Sequence, residues 1–160
     1  MGGDEPVNRH FLFPGTLFAD AREYLISTVL GSCVSVCLWD HLARKGGMNH
    51  FMLPLWNGEG LATPKYGNIA MEKLLEKVLA IGCRRENLQA KVFGGANVNG
   101  SGLEVFMIGD RNITLAFEML DEFGIPVAAH DVGGLVGRKL VMNTASGVIM
   151  VGKGKPAARR

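Results

Sequence analysis

The sequence predicts a single α/β domain of the α+β type, with more strands than helices. Short apolar runs broken by turn residues recur along the chain, and apolar residues follow helical spacing in only two stretches. A chain of 160 residues that is 48% hydrophobic can build one core. The domain is expected to span residues 1–160, with a core from about 10 to 151 and a flexible basic tail at 152–160.

The first part of the core is predicted to be two strands on either side of a loop. Apolar and mixed residues alternate over 34–39, which predicts a strand with two buried or half-buried faces. Charges and a glycine pair over 40–47 indicate a loop, and 48–53 forms the second strand. The loop length allows the two strands to form a hairpin.

Two helices follow. The first is capped by Thr63, has Pro64 in its first turn, and ends before Gly82. Its inward residues are Met71, Leu74, Leu75 and Val78. The second runs from about Asp110, its cap, to Phe123, and Gly124 ends it; Ile113, Phe117, Leu120 and Phe123 face inward. Further strands are predicted near 89–93, 127–132, 139–142 and 148–151.

Charge and composition exclude several function classes. The net charge of +2 is spread along the chain and gives no basic face for nucleic acid. Three cysteines form no disulfide framework, and residues 1–9 have no apolar signal segment, so a reducing cytoplasm is expected. No apolar stretch approaches the roughly 20 residues that cross a bilayer, so any membrane contact is expected through a partner.

Cys33 and His50 are the candidate catalytic pair. Each lies in a short apolar run predicted to be a strand, and the hairpin can bring them together. Cysteine attacks as its thiolate, which is scarce at neutral pH unless a base takes the proton. Thiol hydrolysis of an amide is therefore the leading hypothesis. By composition alone, a buried cysteine and a hydrogen-bonded core histidine would be the commoner interpretation.

Other cysteines, histidines, glycines and charged residues have the chemistry of binding sites. Cys33, Cys37, His41 and His50 form a superficial ligand series, but the spacing lacks the paired Cys-x2-Cys of zinc sites, so no metal is expected. Cys37 and Cys83 are expected to be packing residues. Glycines in Phe93-Gly94-Gly95-Ala96 suit tight turns or close backbone approach better than phosphate binding. Arg138, Lys139 and Asp131 form either a charged rim for substrate or a structural ion pair.

Several segments from His10 to Val151 carry a family resemblance. They are Phe13-Pro14-Gly15, Leu30-Gly31-Ser32-Cys33-Val34, Gly46-Gly47-Met48-Asn49-His50, Met52-Leu53-Pro54, Lys65-Tyr66-Gly67-Asn68, Phe93-Gly94-Gly95-Ala96, Ile108-Gly109-Asp110-Arg111-Asn112 and Asp131-Val132-Gly133-Gly134. Together they resemble CheD, the chemoreceptor glutamine deamidase family of bacterial chemotaxis. The resemblance implies stacked mixed β-sheets with helices packed on one side.

The resemblance also implies roles for individual residues. In the family, the nucleophile matches Cys33, the base matches His50, and a threonine hydroxyl six residues before the cysteine helps to orient the histidine. Ser27 holds that position and Thr28 stands beside it, so either hydroxyl can serve. Backbone N–H groups around Ser32 and Cys33 are candidates for an oxyanion hole, because Gly31 permits a tight approach.

The implied activity is hydrolysis of glutamine side chains to glutamate on the cytoplasmic helices of chemoreceptors, without a cofactor. The family also pairs with a CheC-type phosphatase in some bacteria. The alternative function is a non-catalytic chemotaxis adaptor that binds receptors or such a phosphatase.

Overall fold

The computed structural model describes residues 6–98 and 103–155. Within them the chain forms nine strands, two α-helices and one short 3₁₀ helix, Arg85–Asn87. The strands are β1 (Asn8–Phe11), β2 (Thr16–Asp20), β3 (Tyr24–Leu30), β4 (Val34–Asp40), β5 (Lys45–His50), β6 (Leu88–Gly94), β7 (Val127–Val132), β8 (Arg138–Asn143) and β9 (Ile149–Lys153). The helices are α1 (Gly67–Ala80) and α2 (Leu103–Phe123).

The strands form two mixed sheets. The outer sheet has the order β1-β3-β8-β9, and the central sheet has the order β2-β5-β4-β6-β7. Each sheet contains one parallel pair, β1 with β3 and β6 with β7, among antiparallel ones. Both helices pack on the same face of the central sheet, whose other face meets the outer sheet. The predicted fold class, stacked mixed sheets with helices on one side, is confirmed.

Strand β4 is the centre of this packing, because it is buried on both faces. Val34, Val36 and Leu38 belong to the apolar cluster under the helices, and Cys37 belongs to the cluster between the sheets. Alternate side chains of a strand point to opposite faces, so in a strand covered on both faces nearly every consecutive side chain is buried. The sequence pattern predicted these two buried faces correctly.

The first helix begins later than predicted. Thr63 and Pro64 lie in the preceding loop, and α1 starts at Gly67. Tyr66 is held in extended conformation because Leu53 pairs with it in an isolated bridge. The helix can therefore begin only after that bridge. The predicted inward residues of α1 are buried, as expected.

The second helix begins earlier than predicted. It starts at Leu103, so Asp110 is an exposed residue inside α2 and not its cap. Gly109 lies within the helix, at a position that needs glycine because a Cβ there would meet the carbonyl oxygen of Gly95 at 2.7 Å. Gly124, at φ 72°, ends the helix as predicted.

Two strand boundaries also differ from the predicted ones. Strand β5 starts at Lys45 and includes Gly46 and Gly47, where a Cβ would collide with backbone of the neighbouring strands. Strand β9 continues to Lys153, which pairs with Arg138, although the sequence pattern assigned that residue to the tail. Residues 156–160 of the predicted tail lie outside the described part. Among the described residues, the helices are too short or too polar to span a membrane.

Candidate active site

The hairpin of β4 and β5 brings Cys33 and His50 to one face. The pairs from Asp40↔Lys45 to Cys37↔Met48 define the register of the hairpin. The isolated bridge Val34↔Phe51 has the same register. In this register Cys33 and His50 are diagonal neighbours, which is close enough for long side chains to meet. Cys33 packs against the cluster between the sheets, so both side chains face the outer sheet.

Thr28 holds the imidazole of His50 from the facing strand β3. Its hydroxyl lies 2.7 Å from His50 Nδ1 and donates to the Leu12 carbonyl oxygen, also at 2.7 Å. A hydroxyl has one hydrogen to donate, so toward His50 it accepts, and Nδ1 carries the ring proton. His50 Nε2 then has a free lone pair; it is buried and has no partner among the described residues.

Ser27 lies on the other face of β3. Ile26, Thr28 and Leu30 are buried against the central sheet, whereas Ser27 alternates with them and is half-buried on the outer side. Of the two candidate hydroxyls, the structure thus brings Thr28 and not Ser27 to His50.

The site is electrically neutral at rest. Burial lowers the pKa of His50 to about 4. Burial also raises the pKa of the Cys33 thiol, an effect that its own backbone amide partly opposes. At neutral pH the pair is therefore a thiol and a neutral imidazole with an open acceptor nitrogen. Such a pair suits removal of the thiol proton during attack on a substrate.

The backbone turn that carries Cys33 is held by hydrogen bonds donated to its three successive carbonyl groups. The Gly31 carbonyl accepts from the Ala96 amide and the Cys33 carbonyl from the Gly95 amide, both at 2.9 Å. Between them, the Ser32 carbonyl accepts from Asn112 Nδ2 at 3.3 Å. The amides of Ser32 and Cys33 donate to no other described residue. Binding of an oxyanion by these two amides belongs to the proposed function.

Gly94 and Gly95 form a platform beneath this turn. Both have positive φ, 105° and 73°, and a Cβ at Gly94 would collide with the Cys33 carbonyl oxygen. The Gly94 carbonyl in turn accepts from Gly133 at 2.8 Å. Close backbone approach, which the sequence predicted for these glycines, is confirmed.

Arg138 supports the platform from the outer sheet. It is buried, and its Nη2 donates to Asp131 at 3.0 Å and to the Gly133 carbonyl at 2.8 Å. Lys153 adds a second ion pair with Asp131 at 3.0 Å. Of the two interpretations of these charges, the structural ion pair is correct.

Two buried asparagines near the site were missed by sequence reasoning. Asn49 Oδ1 accepts from the Val36 amide at 2.8 Å, where the β4–β5 ladder is interrupted. Asn112 lies on the apolar stripe of α2, in helical phase with Leu115 and Met119, yet it is fully buried. A polar residue on an apolar stripe was the available signal, because buried polar groups need partners.

The remaining cysteines and His41 lie apart from the pair. Cys37 is buried between the sheets, where burial raises the pKa of its thiol to about 12. Burial raises the pKa of the Cys83 thiol to about 11. Both are packing residues, as predicted. His41 lies beyond the far end of β4, with Nδ1 2.9 Å from the Asn87 carbonyl oxygen.

Comparison with known proteins identifies related sequences. A family model described as CheD chemotactic sensory transduction matches residues 52–153. Curated relatives match more of the chain. A "Probable chemoreceptor glutamine deamidase CheD" of Trichlorobacter lovleyi is 63% identical over 150 residues, which is 94% of this chain and 93% of that protein. That alignment leaves about ten residues of this chain outside it, so it includes Ser27 to His50.

Two further relatives are more distant. A protein of the same name from Sulfurimonas denitrificans is 46% identical over 144 residues, covering 89% of this chain and 92% of the relative. A "Probable chemoreceptor glutamine deamidase CheD 1" of Anaeromyxobacter dehalogenans is 47% identical over 141 residues, covering 88% and 82%.

Proposed function

Because the chain belongs to the CheD chemotactic sensory transduction family, we propose that it hydrolyses glutamine side chains of chemoreceptors to glutamate. Cys33 is the nucleophile, His50 is the general base and acid, and Thr28 orients His50. The observation that carries the proposal is the Thr28–His50 hydrogen bond, which leaves the buried Nε2 open on the face that Cys33 shares. No cofactor takes part in these steps.

The first half of the reaction forms a thioester. His50 Nε2 takes the proton of the Cys33 thiol while Sγ bonds to the side-chain carbonyl carbon of the glutamine. The carbonyl electron pair moves to oxygen, where the amides of Ser32 and Cys33 donate hydrogen bonds to the oxyanion. As the oxyanion collapses, the C–N bond breaks, and protonated His50 gives its proton to the departing ammonia.

The second half releases the product. His50 takes a proton from water, which attacks the thioester carbon. The C–S bond breaks, the Cys33 thiolate takes the proton back from His50, and the product leaves as glutamic acid, which gives its carboxyl proton to the solvent and becomes glutamate. Thr28 accepts from Nδ1 throughout, so the ring keeps the tautomer in which Nε2 exchanges protons.

Exposed apolar side chains lie on the segments near Cys33 and suit a protein substrate. Phe13 is exposed and lies on a segment that crosses from the outer sheet to the central sheet. Before it, the Leu12 amide donates to the Ser27 carbonyl; after it, the Gly15 amide donates to the His50 carbonyl. Val98 follows the glycine platform, and its Cγ2 would lie 3.3 Å from a Cβ at Gly31. We expect a receptor helix to lie across this surface, which places the activity in the cytoplasm, where receptor helices are modified.

The alternative is an adaptor that binds receptors or a CheC-type phosphatase without chemistry. Mass spectrometry of purified receptor cytoplasmic fragments incubated with the protein separates the two. Conversion of glutamine to glutamate by the wild type, absent with Cys33→Ala, supports the deamidase. Fragment binding without conversion supports the adaptor and overturns the proposed function.

A further inference from the structure

We infer that Asn112 is a positioning residue, which aims the oxyanion donors at the substrate carbonyl. This inference rests on the proposed function. Asn112 lies on α2, the helix that packs over β4 and β6, and it touches neither the Cys33 thiol nor the His50 ring by hydrogen bond. Its action is on the backbone that carries them.

The Asn112 carboxamide joins the two segments that hold the catalytic pair. Its Nδ2 donates to the Ser32 carbonyl at 3.3 Å and to the Met52 carbonyl at 3.1 Å. Ser32 precedes the nucleophile, and Met52 lies two residues after His50 and opposite Cys33 in the hairpin register. One fully buried amide therefore fixes the spacing of both segments at the end of the hairpin.

The planar peptide bond turns this contact into a constraint on a donor. In a trans peptide the carbonyl of one residue and the N–H of the next point in opposite directions. Holding the Ser32 carbonyl toward α2 therefore aims the Cys33 N–H away from α2, to the side of the central sheet on which Cys33 packs. In the same way, the Ala96 amide that holds the Gly31 carbonyl sets the direction of the Ser32 N–H.

The two constraints differ in kind. The Ala96 contact is made by backbone and is present with any side chain at that position, whereas the Ser32 contact depends on the identity of residue 112. Asn112 Oδ1 is buried without a partner among the described residues, so the carboxamide is retained at a desolvation cost. The two donated hydrogen bonds are the compensating gain, and they use both hydrogens of the single NH2 group.

If Asn112 aims the oxyanion donors, its replacement slows deamidation but leaves alkylation of the same Cys33 thiol unchanged. Deamidation develops an oxyanion and needs the aimed amides. Alkylation of Cys33 by iodoacetamide displaces iodide and develops no oxyanion, so it needs only the thiol and His50. Asn112→Leu removes both donors while keeping a similar volume at the buried site.

The test measures kcat, KM and the Cys33 alkylation rate for wild type, Asn112→Leu and Asn112→Ala. Thr144→Val is the matched control, because it also loses one buried hydrogen bond, from the Tyr24 amide, at the opposite end of β3. Removal of an oxyanion donor lowers kcat about 100- to 1,000-fold. For a misaimed donor we expect a kcat loss of about tenfold to 100-fold, with KM and the alkylation rate essentially unchanged. Thr144→Val is expected to melt at lower temperature and keep its kcat.

Two results would overturn the inference. One is an unchanged kcat in a folded Asn112 variant. The other is an alkylation rate that falls together with kcat, since that would mean Asn112 only maintains the fold around Cys33. If Asn112→Leu does not fold, Asn112→Ala carries the same comparison. Wild-type turnover is the separate check on the proposed function: inactive wild type refutes that function, whereas active wild type with active Asn112→Leu refutes only this inference.

Discussion

Replacing Thr28 with valine removes one hydroxyl and two hydrogen bonds while keeping the side-chain shape. The hydroxyl bridges the Leu12 carbonyl and His50 Nδ1 at 2.7 Å each, and Leu12, Thr28 and His50 are at most 1% exposed. Water therefore cannot replace the lost partner. Leaving a buried polar group unpaired costs about 1–3 kcal/mol, so two such groups lower the free energy of unfolding by about 2–6 kcal/mol.

The effect on catalysis follows from the same atoms. Without an acceptor at Nδ1, the tautomer with hydrogen on Nδ1 loses its advantage, and Nε2 loses the lone pair that takes the thiol proton. A lost orienting hydrogen bond of about 1–3 kcal/mol corresponds to a fall in kcat of roughly fivefold to 150-fold. Thr28→Ser keeps the hydroxyl and is expected to retain most activity, at a stability cost of about 1 kcal/mol for the buried methyl group.

The assay combines turnover of a receptor fragment, urea unfolding, and nitrogen NMR of the His50 tautomer. Ser27→Ala is the matched control, because Ser27 lies one residue away on the outer face and makes no hydrogen bond to His50. We expect it to change the free energy of unfolding by less than about 0.5 kcal/mol and to leave kcat unchanged. Full activity of Thr28→Val, or a larger loss for Ser27→Ala, would refute the assignment of Thr28.

Two further outcomes follow from burial and pKa. Iodoacetamide should alkylate Cys33 faster than Cys37 or Cys83 in the folded protein, because Cys33 is partly exposed and the other two are buried thiols of raised pKa; equal labelling measured by peptide mapping would contradict the site. Burial lowers the pKa of His50 from 6.5 to about 4, so the unfolded state binds this proton first as the pH falls. The free energy of unfolding should therefore lose up to about 3 kcal/mol between pH 7 and pH 4 from this group. His50→Gln should lack that part of the loss in urea titrations, and an identical pH dependence in both proteins would count against a buried neutral imidazole.

The sequence predicted what depends on local patterning. The alternation of β4, the apolar stripe of α1 and the end of α2 at Gly124 follow from periodicity and glycine conformation, and the structure agrees. The first residues of the two helices could not be predicted in the same way. Tyr66 is extended because of a bridge to Leu53, and residue 109 is a glycine inside α2 because the Gly95 backbone packs against it. Both causes are tertiary contacts that no local pattern contains.

Some residues of the candidate site could also be predicted from the sequence, and others could not. The residues with obvious chemistry, Cys33 and His50, are visible from their type and flanking segments, and hairpin formation follows from the loop between them. The choice of Thr28 over Ser27 depends on which face of β3 meets the central sheet, and a one-residue shift in register reverses that choice. Asn112 acts over a sequence separation of 80 residues, so its partner carbonyl cannot be read from its neighbours.

The central claim is that His50 moves protons between Cys33, the substrate and water. The most direct test is to measure the kcat of His50→Ala and, in parallel, its binding of the receptor fragment. The other histidines have different surroundings: His10 stacks on Phe18, His41 contacts the Asn87 carbonyl, and His130 is exposed beside Phe117. We expect His50→Ala to lose nearly all turnover while fragment binding persists, because the imidazole that Thr28 orients on the face of Cys33 is then absent. Turnover near the wild-type rate in a folded His50→Ala variant would contradict the role of His50 and move the search to His10, His41 and His130.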